Sequence, residues 1–189
     1  MLEAFKDLLI AWNKRINLVS TGDLDALEDR HIADSIQVFD HRPSEARSWL
    51  DVGSGGGFPG LIAAICAKGS GLPIRFTLIE SDVRKCAFLR EAVRITGTDV
   101  QVVSKRIEAV PPEPFDVISA RALAHLPKLL SYTAPFSHPE TVYLFPKGAQ
   151  VESELTQAMA DWHVTVERIA SRTDARGTLL KLTEVSARS

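Results

Sequence analysis

Cysteine is scarce in this 189-residue sequence, with only Cys66 and Cys86 present. Both sit in helix-period segments without metal-ligand spacing, so a disulfide framework and a thiolate metal centre are excluded. Small residues buried in a reducing cytoplasm are the expectation, and no metal is expected anywhere in the chain. Excess charge of one sign is also missing: 22 basic residues against 24 acidic ones leave a net charge of -2. That excludes a protein that coats nucleic acid by bulk charge, though not one with a local basic face. No apolar run approaches the roughly 20 residues of a membrane span. The amino end, MLEAFKDLLIAWNKRINL, carries charges inside its apolar pattern and has no small-residue cleavage site, so it does not read as a signal peptide. Repeats, low-complexity tracts and linkers are absent as well. One domain over residues 1–189 is expected, with a helical cap at 1–42 and a core at 47–186, soluble, cytoplasmic and monomeric.

What is present falls into two patterns. Leu2, Phe5, Leu8, Leu9, Trp12 and Ile16 recur at helical spacing. After a break at residues 20–23, Asp23 can cap a second helix running to about Val38. From Trp49 the chain alternates. SWLDVG, IRFTLIE, VQVVS, FDVISA and TVYLF read as strands, with helix-period stretches at Leu61–Ala67, Arg84–Ile95 and Ala122–Tyr132. This order predicts a mostly parallel sheet with helices on both faces. WHVTVERIA and GTLLKLTEV, separated only by a short polar turn, predict a terminal hairpin with one antiparallel strand.

Between the first strand and helix lies DVGSGGGFPG, Asp51 to Gly60. Glycines here let a ligand approach backbone N–H groups, and a strand–loop–helix at the carboxyl edge of a parallel sheet is the usual ligand position. Pro59 suits a helix's first turn. A literal G-x-G-x-x-G at Gly55, Gly57 and Gly60 suggests a dinucleotide and an NAD-dependent oxidoreductase. Asp51 at the strand end argues otherwise, since a carboxylate repels phosphate. Asp51, Gly53, Gly55 and Gly57 instead suit a ligand bearing an ammonium and a sulfonium, S-adenosylmethionine, with S-adenosylhomocysteine as product. Glu80, ending the next strand, is placed to accept from ribose hydroxyls. His125 and His138, in proline-bearing segments, look like surface residues.

WNKRINL, RHIADS, DVGSGGGFPGL, IESDVRKCAFL, SKRIE, FDVISARA and FPKG, in this order and spacing, resemble the RsmG (GidB) methyltransferases from about Trp12 to Gly148. The resemblance implies a Rossmann-like class I methyltransferase fold with a seven-stranded sheet and an amino-terminal helical extension. It implies methylation of guanine N7 in the decoding-region loop of 16S ribosomal RNA, at guanosine 527. It points to Gly53 and Phe58 for the methionine and adenosine parts of the cofactor, Ile107 and Glu108 for the adenine, and Arg121 beside the methyl-transfer pocket. The residues agree. Ile107 lies just past a strand, where an apolar side chain can cover a base, and Arg121 ends an apolar strand at the same edge. Lys147, closing the fifth strand, is a further candidate for positioning substrate. Lys14, Arg15, Arg30, His31, Arg121, Lys128 and Lys147 are candidates for gripping RNA, while Asn13, Asn17, Asp34 and Ser35 can equally lock the helical cap onto the sheet. Besides the oxidoreductase, a non-catalytic RNA- or nucleotide-binding module stays open.

Overall fold

The computed structural model describes residues 1–20 and 27–188, at positions 28 and 29 the backbone alone. Helix α1, Leu2–Asn13, ends at the polar Asn13-Lys14-Arg15 stretch, one turn earlier than the apolar spacing suggests. Asn13 explains the stop: its Oδ1 accepts the Leu18 and Val19 N–H groups at 2.8 and 3.0 Å, folding the chain back. Asp23, expected to cap the second helix, lies outside the described residues. That helix appears as a π-helical stretch, Leu27–Ile32, running straight into α2, Ala33–Asp40.

The core alternates as the hydrophobic runs predict. Strand β1 (Ser48–Val52) leads to α3 (Gly60–Gly69), β2 (Arg75–Glu80) to α4 (Val83–Thr96), and β3 (Val100–Ser104) to a 3-10 turn at Ile107–Ala109. Then follow β4 (Val117–Ala120), α5 (Leu126–Thr133), β5 (Val142–Lys147), α6 (Val151–Asp161), β6 (Trp162–Ala170) and β7 (Thr178–Ala187). The strand order is β3-β2-β1-β4-β5-β7-β6, with β7 antiparallel to both neighbours and the pairings among β1 to β5 parallel. The expected hairpin forms. Helix α6 was not foreseen, and α5 starts at Leu126 rather than Ala122, because residues 122–125 form an irregular shoulder at the sheet edge.

Strand alternation sends successive side chains to opposite faces. Leu50, Ile118 and Tyr143 pack under α5 and α6, while Trp49, Phe76, Leu78 and Leu144 face α1 to α4. Helix α3 is apolar nearly all round because it is covered on both sides, by the sheet and by α2. Trp49, fully buried, stacks between Phe39 and Phe76. Losing such a side chain costs about 3–5 kcal/mol. Its indole N–H donates to Ser119 Oγ at 2.8 Å, and that hydroxyl donates to Asp51 Oδ1 at 2.6 Å.

Neither thiol is in a disulfide: Cys86 is buried on α4, donating to the Glu80 carbonyl, and Cys66 is half-buried on α3. His138 departs from the surface reading. It holds Asp116 through Nε2 at 3.2 Å and accepts the Glu140 N–H on Nδ1, whereas His125 is exposed as expected. Among the described residues no helix is long and apolar enough to cross a membrane.

Candidate functional site

Beyond the carboxyl ends of β1, β2 and β4 the chain leaves an open cleft of about 540 Å³. Its floor is the glycine loop. Gly53 has φ +69°, a left-handed backbone that disfavours any side chain, and an added Cβ would meet Leu123 Cδ1 at 2.8 Å. The Gly55 N–H donates to Glu80 Oε2 at 2.9 Å, and the Asp82 N–H donates to Glu80 Oε1 at 2.8 Å. Each Glu80 oxygen therefore has one backbone donor and retains capacity for one more. Asp82 in turn caps α4 by accepting the Arg84 and Lys85 N–H groups. The loop and both strand ends are thus fixed to each other.

Of the residues singled out by sequence, the cleft gathers Gly53, Gly55, Phe58, Glu80, Ile107, Glu108 and Arg121. Two do not line it. Asp51 is completely enclosed, because strand alternation turns its side chain away from the cleft and down against α3. A Cβ on Gly60 would lie 2.5 Å from Asp51 Cβ, so α3 begins with glycine to seat over this carboxyl. Asp51, singled out for a ligand's cationic groups, thus lies outside the cleft and braces the loop from beneath. Burial pushes its carboxyl up to about 6, against the hydrogen bonds from Ser119, Ser54 and the Gly60 backbone and the charge of Arg121. Gly57 does not line the cleft either, and a Cβ there would meet Leu61 and Phe5 on the inner side of the loop.

Sequence reasoning missed several walls of the cleft: Leu18, Lys85, Lys105, Arg106 and Tyr132. Lys105 and Arg106 stand in the same short segment as Ile107 and Glu108, so their place at this edge is readable from the chain. Leu18 arrives from the amino-terminal section through the Asn13 turn, which no local pattern signals.

A second cavity of about 760 Å³ adjoins the first. The two share Leu18, Arg121, Ala122 and Leu123. Ala122 has φ +55°, an uncommon conformation for a residue with a side chain. Strain of this kind, of order 1–3 kcal/mol, concentrates at functional sites. Arg121 lies over the Phe58 ring, its Cζ 5.0 Å from the centroid, and donates to His31 Nδ1 at 2.7 Å. Arginine has only donors, so His31 accepts at Nδ1. The His31 ring also packs on Phe58, with centroids 5.5 Å apart. The helical section thus clamps Arg121 at the boundary of the two cavities.

Lys147 lines the second cavity and not the cleft. Its Nζ donates to Glu154 Oε2 at 2.8 Å and to the Ala124 carbonyl at 3.0 Å. Asp34 accepts the Ser171 and Thr173 hydroxyls, and the Gln37 amide donates to the Ala170 carbonyl, so α2 is tied to the β6–β7 turn. Asp34 therefore locks the cap onto the sheet, whereas Asn13 bonds only Leu18 and Val19 within the cap itself. Ser35 likewise bonds within the cap, through the His31 carbonyl. Lys14 and Arg15 are exposed on α1 and its end, and Arg30 pairs with Asp174 across the second cavity. Lys128 lies over the Tyr132 ring. No group of three or more His, Cys, Asp or Glu among the described residues is placed to share a metal.

The family profile described as GidB, rRNA small subunit methyltransferase G, matches residues 1–177. The ribosomal RNA small subunit methyltransferase G of Gluconobacter oxydans is 51% identical over 183 residues, 97% of this chain and 92% of that protein. Its namesake from Rhodospirillum centenum is 47% identical over 187 residues, 99% of this chain and 84% of that protein. Among solved structures, an Aquifex aeolicus SAM-dependent methyltransferase superposes with a TM-score of 0.65 at 16% identity, covering 87% of this chain and 98% of that one. The N-methyltransferase NodS of Bradyrhizobium japonicum, solved with S-adenosyl-L-homocysteine, gives 0.64 at 14% identity, covering 93% and 96%. These likenesses show that the chain has the Rossmann-like fold of methyltransferases.

Proposed function

This chain belongs to the GidB family of rRNA small subunit methyltransferases, and from that premise we propose that it transfers the methyl group of S-adenosylmethionine to N7 of a guanine in 16S rRNA, guanosine 527 of the decoding-region loop. One observation carries the assignment of parts: a cleft over the glycine loop and a second cavity meet at Arg121–Leu123. The cleft is the cofactor's side and the second cavity the RNA's.

The residues of the cleft fit the cofactor. Gly53 and Gly55 offer backbone that a ligand can approach closely. Glu80 retains acceptor capacity for ribose hydroxyls, Ile107 offers an apolar face to adenine, and Glu108 stands beside it at the cleft wall. When bound, S-adenosylmethionine supplies an electrophilic methyl on a sulfonium centre. Guanine N7 carries an in-plane lone pair, so no side chain has to remove a proton before attack. The work of the protein is alignment. Arg121, held by His31 and Phe58, faces the boundary where the base must enter, and its role is to position RNA phosphate or the guanine edge. Lys147 assists from the second cavity.

The same cleft can be read as a dinucleotide site, and calorimetry separates the two. S-adenosylmethionine and S-adenosylhomocysteine are expected to bind and NAD to show no heat. Primer extension after borohydride–aniline cleavage, on rRNA from cells with and without the gene, is expected to show a stop that depends on the gene. NAD binding of comparable strength, or rRNA cleaved alike in both strains, would overturn the proposal.

A further inference from the structure

We propose that the second cavity seats the methylated base and that the Lys147–Glu154 pair in its wall selects guanine over adenine; this rests on the assignment of guanine N7 as the acceptor. The cavity, about 760 Å³, lies within the roughly 300–1,000 Å³ of small-ligand sites, enough for an extruded nucleotide.

Any base that presents N7 at the Arg121–Leu123 boundary brings its six-position substituent next to that boundary, followed by N1. The Lys147–Glu154 pair stands beside it. Lys147 Nζ holds the Ala124 carbonyl and Glu154 Oε2 accepts the Leu126 N–H at 2.8 Å, so both are fastened to the segment directly after Leu123. Among the described residues the third Lys147 N–H takes no protein acceptor, and Glu154 Oε1 meets only the His125 ring, at 3.7 Å. An ammonium beside a carboxylate offers a donor next to an acceptor. Guanine presents the complement, O6 as acceptor next to the N1–H and 2-amino donors. Adenine presents the reverse, a 6-amino donor next to the N1 acceptor, so each group would face its own kind.

The other ion pair of this cavity, Arg30–Asp174, is a weaker candidate. Its side chains are 47% and 25% exposed, against 9% and 12% for Lys147 and Glu154. A pair as buried as Lys147–Glu154 is poor evidence for stability, since apolar residues of similar size often stabilise as much. Discrimination gives it a reason to be charged.

Both purines carry a nucleophilic N7, so exchanging them tests recognition rather than reactivity. Small subunits are reconstituted with guanine, inosine or adenine at the position mapped for the wild-type enzyme, and initial methylation rates are compared. The wild type is expected to prefer guanine over adenine by about a hundredfold and over inosine by about tenfold, the inosine step reporting the lost 2-amino contact. Glu154→Gln, which keeps an acceptor for Leu126 and Lys147, is expected to bind S-adenosylhomocysteine normally, lose about tenfold on guanine and bring guanine and inosine within about twofold. Lys147→Gln is expected to narrow the guanine-to-adenine ratio. Variants that bind cofactor normally and slow all three bases alike would overturn the proposal, leaving the pair a structural brace. A wild-type enzyme that methylates none of the three would instead overturn the N7 assignment on which it rests.

Discussion

The two edges of the parallel sheet are made by the same strands, and the chain finishes them in opposite ways. At the amino edge everything is closed. Asp116, just before β4, accepts the Arg47 and Ser48 N–H groups and the Ser48 hydroxyl at 2.7–2.9 Å, with His138 on its other oxygen. Thr141 hydrogen-bonds the Phe115 carbonyl, and the backbone of Val142 joins that of Asp116. At the carboxyl edge the chain holds φ-positive glycines, a φ-positive alanine, two adjoining cavities and a carboxyl forced under a loop. One edge uses its polar groups to stabilise the fold. The other keeps polar capacity in reserve for ligands and is held in shape from below and from the side.

The largest effect is expected where the open edge rests on the core. Gly60→Ala places a methyl within 2.6 Å of Asp51 and Leu78, neither of which can retreat, and is expected to cost about 3 kcal/mol in urea unfolding. Gly148→Ala, with nothing within 4 Å, is the near-neutral counterpart. Equal midpoints for the two variants would mean that the loop is not seated on Asp51.

The two edges should also respond to pH with opposite signs. Burial raises the Asp51 carboxyl from 3.8 to about 6, so its contribution is present below about pH 4 and is lost as pH rises through 6. Asp51→Asn carries no such dependence and should gain on wild type by about 3 kcal/mol between pH 4 and 7. Asp116 differs. Burial pushes its carboxyl up, but the hydrogen bonds from Arg47, Ser48 and His138 outweigh it and hold the group below its usual range. Its contribution is present above the unfolded value of 3.8 and is lost as pH falls through the lower folded value. Asp116→Asn should therefore be destabilised at neutral pH and converge on wild type in acid. Thermal unfolding across pH 3–8 reads both, and parallel curves for the two variants would end the contrast between the edges.

A smaller change in free energy, with a large functional readout, is expected at Arg121. Arg121→Ala loses charge and fork, and Arg121→Lys loses the fork. Both should cut methylation by about tenfold or more while calorimetry shows cofactor affinity altered far less. If affinity falls in step with activity, Arg121 belongs to the cofactor side of the boundary.

Much of this was legible along the chain. The strand runs, the helices between β1 and β3, the terminal hairpin and the glycine loop all follow from local periodicity and turn chemistry. So does the gathering of Gly53, Gly55, Glu80 and Arg121, because residues at the carboxyl ends of parallel strands meet at one edge whatever lies between them. Ile107 and Glu108, to which the resemblance pointed, follow β3 and line the same cleft. Helix α6 escaped notice between two strong strand signals, and the start of α5 was misplaced because Ala122, an ordinary helix former, is held at a positive φ by its surroundings.

Local pattern along the chain therefore set the order of elements and the edge at which the glycine loop lies, since both depend on near neighbours in the chain. The packing of the layers set which way each side chain turned and what came across to meet it. Asp51 looked like a ligand contact until strand alternation and the fit of Gly60 placed it beneath the loop. His31 meets Arg121 across 90 positions, and Lys147 is joined to Glu154 on a helix the pattern did not announce. Such contacts are set by how layers pack, and close packing in three dimensions leaves no periodic trace in one.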